Sequence, residues 1–285
     1  MQAETQEVSS QETPKTIERS QEFKEYWYGG QAEITSYELQ QARYGEMRQG
    51  KAVLIFVTED FLPEKQVKAD QQNDANISVL KLNATKNFIT GIYPYSVMES
   101  TFYPVEQEQH AIKVSTSVQE WCGQVYAQVN NKPSGFEVLS HSYFEKEADE
   151  NFSLPKHILE NELWTQIRTD PSSLPQGKLQ IIPSLAYCRL KHKDIKAYPA
   201  EAVLEKVGNT TKYSIQYPDL NRNLQITFQT DFPHEIMEWS EQFQSGFGSN
   251  ATLLTTRATK IKTIQSSYWN KNRKSDTGLR EELGL

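Results

Sequence analysis

Five histidines, at positions 110, 141, 157, 192 and 234, are the residues best suited to metal or proton chemistry, and their spacing supports neither. No HxH, HExxH or CxxC pattern occurs, so no two ligands stand one strand step or one helical turn apart. The two thiols, Cys122 and Cys188, both fall within strand-like patterns and are open to two readings, one bridge or two unrelated groups. Cys122 has no basic neighbour that would favour its thiolate. A Gly-x-Ser-x-Gly elbow is missing from the sequence, and Gly246-Phe247-Gly248 lacks the strand–turn–helix order of a dinucleotide fingerprint. Carboxylates cluster at Glu59-Asp60 and from Glu145 to Glu150, the second reading as a solvated loop face. The expectation is no catalytic residue, no metal site and no cofactor. A hydrolase with dispersed carboxylates, or with His141 as base, is the alternative.

Rings are the stronger signal. Trp27, Tyr93, Tyr95, Tyr103, Trp121 and Tyr126 are expected on one concave sheet face, with His141 and Tyr143 sharing a strand parity nearby. An apolar body with a polar tip suits sugars, lipids or peptides, although core packing uses the same rings. The ligand-binding expectation therefore names Trp27, Tyr93, Tyr95, Tyr103, Tyr126, His141 and Tyr143, with an apolar ligand or an envelope protein as partner. A formal charge of −7 disfavours nucleic acid, because phosphate neutralisation needs the opposite sign.

These side chains need a sheet to hold them. Apolar residues make up 37% of the chain and aromatics 11%, a pairing that suits half-exposed strands. From Ala111 to Val129 apolar residues alternate with polar ones and change phase once, which predicts one long strand with a β-bulge near Trp121. On that reading Trp121 is core and Cys122 faces the wetter side. Arg48-Gln49-Gly50 is expected as a hairpin turn, Leu179 to Leu190 as a strand, and Thr255 to Trp269 as a strand or short helix. Leu159, Leu163 and Ile167 recur at helical spacing, so His157 to Arg168 is predicted helical with Ser153 before it as a cap. The fold class is mainly β: long, bent antiparallel sheet, half-barrel-like, with one or two short helices. Residues 1–21 are almost free of large apolar side chains and are expected to be a disordered tether. A β-rich domain over 22–285, in two lobes dividing near 151–177, completes the organisation. No apolar run approaches the ~20 residues of a membrane-spanning helix.

Four segments resemble an uncharacterised envelope protein family of the Bacteroidetes type, often labelled "septum formation inhibitor Maf". They are EYWYGGQAEITSYELQQARYGEMRQGKAVLIFVTEDF (Glu25 to Phe61), TGIYPYSVMESTFYP (Thr90 to Pro104), VQEWCGQVYAQ (Val118 to Gln128) and FPHEIMEW (Phe232 to Trp239). The resemblance implies a lipoprotein signal upstream, a periplasm-facing place in the cell envelope, and membrane contact only through a lipid anchor; a cytoplasmic place is the alternative. The Maf label implies a nucleotide pyrophosphatase with a Ser-x-Ser-Pro-Arg-Arg signature. That signature does not occur here and the alternating pattern opposes its α/β fold, so no Maf residue is carried over.

Overall fold

Alternation of apolar and polar side chains runs through sixteen strands in the computed structural model, which describes residues 15–285. In chain order these are β1 (Ala32–Arg43), β2 (Glu46–Leu62), β3 (Val67–Lys68), β4 (Ile77–Thr90), β5 (Tyr93–Pro104), β6 (Lys113–Glu120), β7 (Gly123–Lys132) and β8 (Gly135–His141). They continue as β9 (Asp149–Leu154), β10 (Ile158–Leu159), β11 (Gly177–Ile182), β12 (Tyr198–Val207), β13 (Thr210–Tyr217), β14 (Arg222–Gln229), β15 (Ile236–Ser245) and β16 (Thr252–Ser266). Four short helices accompany them: α1 (Gln21–Trp27), α2 (Glu160–Thr169), α3 (Leu185–Lys191) and α4 (Gly278–Glu282).

All the strands belong to one sheet, ordered β10-β11-β12-β13-β14-β15-β16-β1-β2-β4-β5-β6-β7-β8-β9, with β3 paired to β2 off this path. Every ladder is antiparallel except the two-residue pairing of β10 with β11. The mainly β expectation holds. The strands form one continuous sheet, because β1 and β16 pair and so join the two halves of the chain. Residues 155–157 link the two edge strands, β9 ending at Leu154 and β10 beginning at Ile158. A step of four residues keeps those edges within about 14 Å of each other at that corner. The sheet is thus open in its hydrogen bonding yet bent almost back on itself.

Helix α2 lies inside the bend. Its side chains reach Tyr217 and Arg222 at β13 and β14, Trp239 on β15, Glu33 on β1 and Glu99 on β5, all on one face of the sheet. Glu160, Asn161, Leu163, Thr165, Ile167 and Arg168 are all buried, so the helix is surrounded rather than laid on a surface. The apolar core fills the space around it, drawing Leu54, Phe56 and Leu82 from one half of the chain and Ile215, Leu224 and Phe228 from the other. Outward positions are mostly polar: Glu38 and Gln40 on β1, Gln124 on β7, Gln216 on β13, Asn223 on β14 and Gln242 on β15. Apolar inside and polar outside is the reverse of a lipid-facing barrel wall.

The phase change at Trp121 has a different cause from the expected bulge. Strands β6 and β7 form a hairpin with Glu120 opposite Gly123, and only Trp121 and Cys122 in the turn. Paired positions across a two-residue turn sum to an odd number, so the inward set passes from Val114, Thr116 and Val118 to Val125, Ala127 and Val129. A tight hairpin imitates a bulge in one dimension. Trp121 is consequently 68% exposed at a turn, not core. Other local readings change for similar reasons. Arg48-Gln49-Gly50 lies within β2, and the true turn is Tyr44-Gly45, both at positive φ as a tight hairpin requires. Gly50 instead allows a close strand approach, since a Cβ there would sit 2.3 Å from Asn87 O.

Leu179 to Leu190 splits into β11 and helix α3, which Ser184 caps by accepting from Tyr187 N at 3.3 Å. Ser153 is in β9 and caps nothing; Glu162 closes the start of α2 by accepting from Leu159 N at 3.1 Å. Residues 15–21 of the expected tether are ordered. Glu108 N donates to Lys15 O, Ile17 N to Glu106 O, and the Arg19 side chain, through Nε, to Val105 O at 2.7 Å, so main-chain pairing and one guanidinium stand in for the missing apolar side chains. The first fourteen positions of that tether lie outside the described residues.

Two predictions follow from these contacts. Arg168 and Glu33 form a bidentate pair at 2.5 and 2.6 Å, both buried, with Tyr26 OH and Pro233 O completing it. Burial works to raise the Glu33 carboxyl, and the Arg168 charge and hydrogen bonds outweigh it, so its pKa lies below the ordinary 4.5. Arg168→Met should cost about 3–5 kcal/mol in urea unfolding, while Glu33→Leu combined with Arg168→Met restores most of the loss. The pair's contribution is complete above the ordinary carboxylate pKa and disappears as pH falls through the lowered native one, so the double variant is less acid-sensitive. The second prediction concerns the thiols, which are free, Cys122 exposed and Cys188 buried on α3. Burial pushes the Cys188 thiol well up. A thiol reagent should label one cysteine in the native protein and two only after denaturation; equal native labelling would contradict this placement.

Candidate functional site

Two recesses in this frame could hold a ligand, one on each face of the sheet. The first is an open groove of about 920 Å³ on the outer face, running from α4 across β2, β4 and β5 to the turn at Trp121. Its floor breaks the polar rule of that face. Ile34, Val53, Ile55 and Ile264 point outward, and Leu283 with Leu285 just beyond α4 packs against them. Farther along, Ile89 is 60% exposed and Trp121 stands at the end. Helix α4 is held by Ser36 Oγ, which donates to Leu283 O at 2.5 Å. Lys51, Lys271 and Arg280 stand at the groove, with Glu120 and Asp276 also present.

The second recess is an interior chamber of about 80 Å³ between the inward face, α2 and α3. Its walls are Leu54, Leu82, Leu224 and the rings of Trp164 and Trp239, which meet edge to face at 5.3 Å. Charge is unusually dense around it. Arg222 binds both Glu160, with Nη2 donating at 2.7 Å, and Glu241, with Nε donating at 2.7 Å, while Tyr217 OH donates to Glu160 at 2.6 Å. Burial opposes the Glu241 carboxylate, but Arg222 beside it holds its pKa below the usual range. Glu99 accepts from Asn161 Nδ2, Ser184 Oγ and Ala186 N, at 2.8, 2.9 and 3.0 Å. Two exposed rings, Tyr44 and Phe247, complete the lining on the solvent side, with centres 6.0 Å apart.

The rings expected on one concave face separate into three places. Trp27 is core, beside Phe56 and under the Arg168 guanidinium, and its Nε1 has no partner among the described residues. Tyr103 packs half-buried against the small cluster around Phe136. Tyr95 is buried, stacked on Phe88 at 4.9 Å and hydrogen-bonded to Tyr44 OH at 2.7 Å; Tyr93 bridges it to Trp121, with centroids 5.8 and 6.4 Å away. Tyr126 and His141 are register partners on β7 and β8, outward and solvated, and Tyr143 covers Gly123 nearby. His141 Nδ1 lies 3.2 Å from Asp149 on the sheet's edge strand. Of these rings, only Tyr95 and Trp121 line either recess, both at the groove, and Trp121 is not among the seven residues named for ligand binding.

Sequence reasoning missed the groove and chamber residues, although signals existed. Val53-Leu54-Ile55-Phe56-Val57 is apolar on both parities, which marks a strand covered on both faces. Gln41 and Arg43 continue the inward parity of Tyr37 and Leu39, and Lys86 falls between Ala84 and Phe88 on the inward parity of β4, so polar groups were written into apolar faces.

Comparison with known proteins adds little. No family model matches the chain. No curated protein matches it either. Among solved structures, a porin-like protein from Bacteroides uniformis aligns over 80% of this chain and 95% of its own, at 8% identity and a TM-score of 0.26. Nothing about this chain follows from a likeness at that level.

Proposed function

We propose that this chain is a non-enzymatic protein of the cell envelope, a lipoprotein, that binds an elongated apolar ligand in the groove between α4 and the outer face of its sheet. The observation that carries the reading is the exception in polarity. An outer face built of Glu, Gln, Asn and Lys turns apolar along Ile55, Val53, Ile89 and Trp121, and only part of that stripe is covered by α4. At about 920 Å³ the groove falls within the usual size of small-molecule sites, and a mostly apolar lining with a few polar groups is their usual chemistry. The envelope location and lipid anchor rest on the sequence resemblance alone. Recovery of the full-length gene product in the cytosolic fraction would remove them.

The hydrolase reading has less behind it. His141 is solvated at the sheet edge, and the buried carboxylates Glu33, Glu160 and Glu241 are each engaged by a guanidinium. Carboxylates paired in this way hold the fold.

An apolar fluorophore such as N-phenyl-1-naphthylamine should bind the purified chain and be displaced by acyl-chain compounds. Trp121→Ala and Ile89→Ser should each weaken binding by roughly three- to tenfold, about 1 kcal/mol per lost apolar anchor. Both side chains are exposed, so the melting temperature should stay within about a degree of the parent. Unchanged affinity in both variants would reject the groove.

A further inference from the structure

The interior chamber carries a charge imbalance that the apolar groove does not use. Four cations line it, Arg43, Lys86, Lys191 and Arg222, against three carboxylates, Glu99, Glu160 and Glu241. Two of the carboxylates are taken up by Arg222, and Glu99 is held by neutral donors at the start of α3. The remaining cations meet only neutral acceptors. Arg43 donates to Leu190 O at 2.6 Å and to the Tyr44 and Tyr95 hydroxyls at 3.1 Å each, and Lys191 donates to Gln244 O. Lys86 has no ion-pair partner within 4 Å among the described residues. It sits on the inward face of β4, opposite Ala52. Glu241 acts on it through space, without contact. A cation lining an enclosed chamber with no contact ion pair is costly, and a bound anion relieves that cost.

We infer that the chamber is a binding site for a compact oxyanion, held by Lys86 and Arg43. Its volume sets the size: about 80 Å³ is roughly half of a cavity that accepts benzene, which leaves room for a group of about five heavy atoms and no more. Gln41 refines the class. Its Nε2 is spent on Ala42 O and Thr256 Oγ1, both at 3.1 Å, while its buried Oε1 has no partner among the described residues. An acceptor left open in a residue that lines the same chamber as the two cations favours an anion that also presents a hydroxyl, as a protonated phosphate does. Because the lining reaches solvent at the exposed rings of Tyr44 and Phe247, such a group has two possible sources, a free anion or the head of a larger molecule whose body remains outside.

The test is thermal unfolding and titration calorimetry of the purified full chain with inorganic phosphate, sulfate, hexyl phosphate and hexanol. Phosphate should raise the melting temperature saturably by a few degrees, with sulfate at least about fivefold weaker because it lacks a hydroxyl near neutral pH. Tighter binding of hexyl phosphate than of phosphate identifies a head group as the source; equal binding identifies the free anion. Lys86→Met should abolish the response yet leave the unliganded melting temperature unchanged or raised, since no partner of Lys86 is lost. Heat and shift absent for both phosphates, hexanol as effective as hexyl phosphate, or an undiminished response in Lys86→Met would each overturn the site. Trp121→Ala should keep the phosphate response in full, which separates a failure of the chamber from a failure of the groove.

Discussion

The fold depends on ionic contacts that fasten a helix inside a bent sheet. At one end of α2, Glu160 meets Arg222 and Tyr217; at the other, Arg168 meets Glu33. These anchors lie on β13, β14 and β1, so the helix holds strands that are distant in the sheet at a fixed curvature. Each charge is buried, and each is stable there only because its partner satisfies several hydrogen bonds at once. Take away either anchor and the interior retains an unpaired charge. Geometry that demanding also fixes which way the helix runs and how far it enters.

The curvature then decides what each face can do. Inward side chains meet α2 and α3 and form most of the apolar core, which leaves a small and highly charged chamber rather than a wide lumen. Outward side chains mostly meet water, apart from a small buried cluster around Phe61 and Val79 and the place where α4 and the chain beyond it lie back on β1 and β2. That returning segment creates the groove, because a helix resting on a convex sheet covers the stripe beneath it and leaves its continuation exposed. Recess and chamber therefore differ in chemistry for a single reason: one is the margin of a packed helix, the other the residue of an ionic clamp.

Much of the secondary structure was legible in the order of side chains. The alternation between Ala111 and Val129 and the stripe of Leu159, Leu163 and Ile167 both stand in elements of the expected type. Errors arose where two structures write the same pattern. A two-residue hairpin and a bulge both shift parity by one, so Trp121 was read as core although it stands at a turn. Gly50 reads as a turn because glycine serves turns and close approaches alike. The six rings expected on one surface share a residue type without sharing a position, and the sheet scatters them among core, turns and outer face.

By itself the sequence determined a mainly β chain, its strand-forming segments and one buried helical stripe, since these depend on periodicity along the backbone. Only the tertiary structure decided that the strands make a single sheet, that α2 passes through it, and which polar groups on inward parities have partners. Arg222 and Lys86 look alike in sequence, each a cation on an inward strand face; one is hydrogen-bonded by two carboxylates and the other has no ion pair within 4 Å among the described residues. That difference arises from contacts between strands far apart in the chain, and electrostatic energy depends on distance in space, not on separation in sequence.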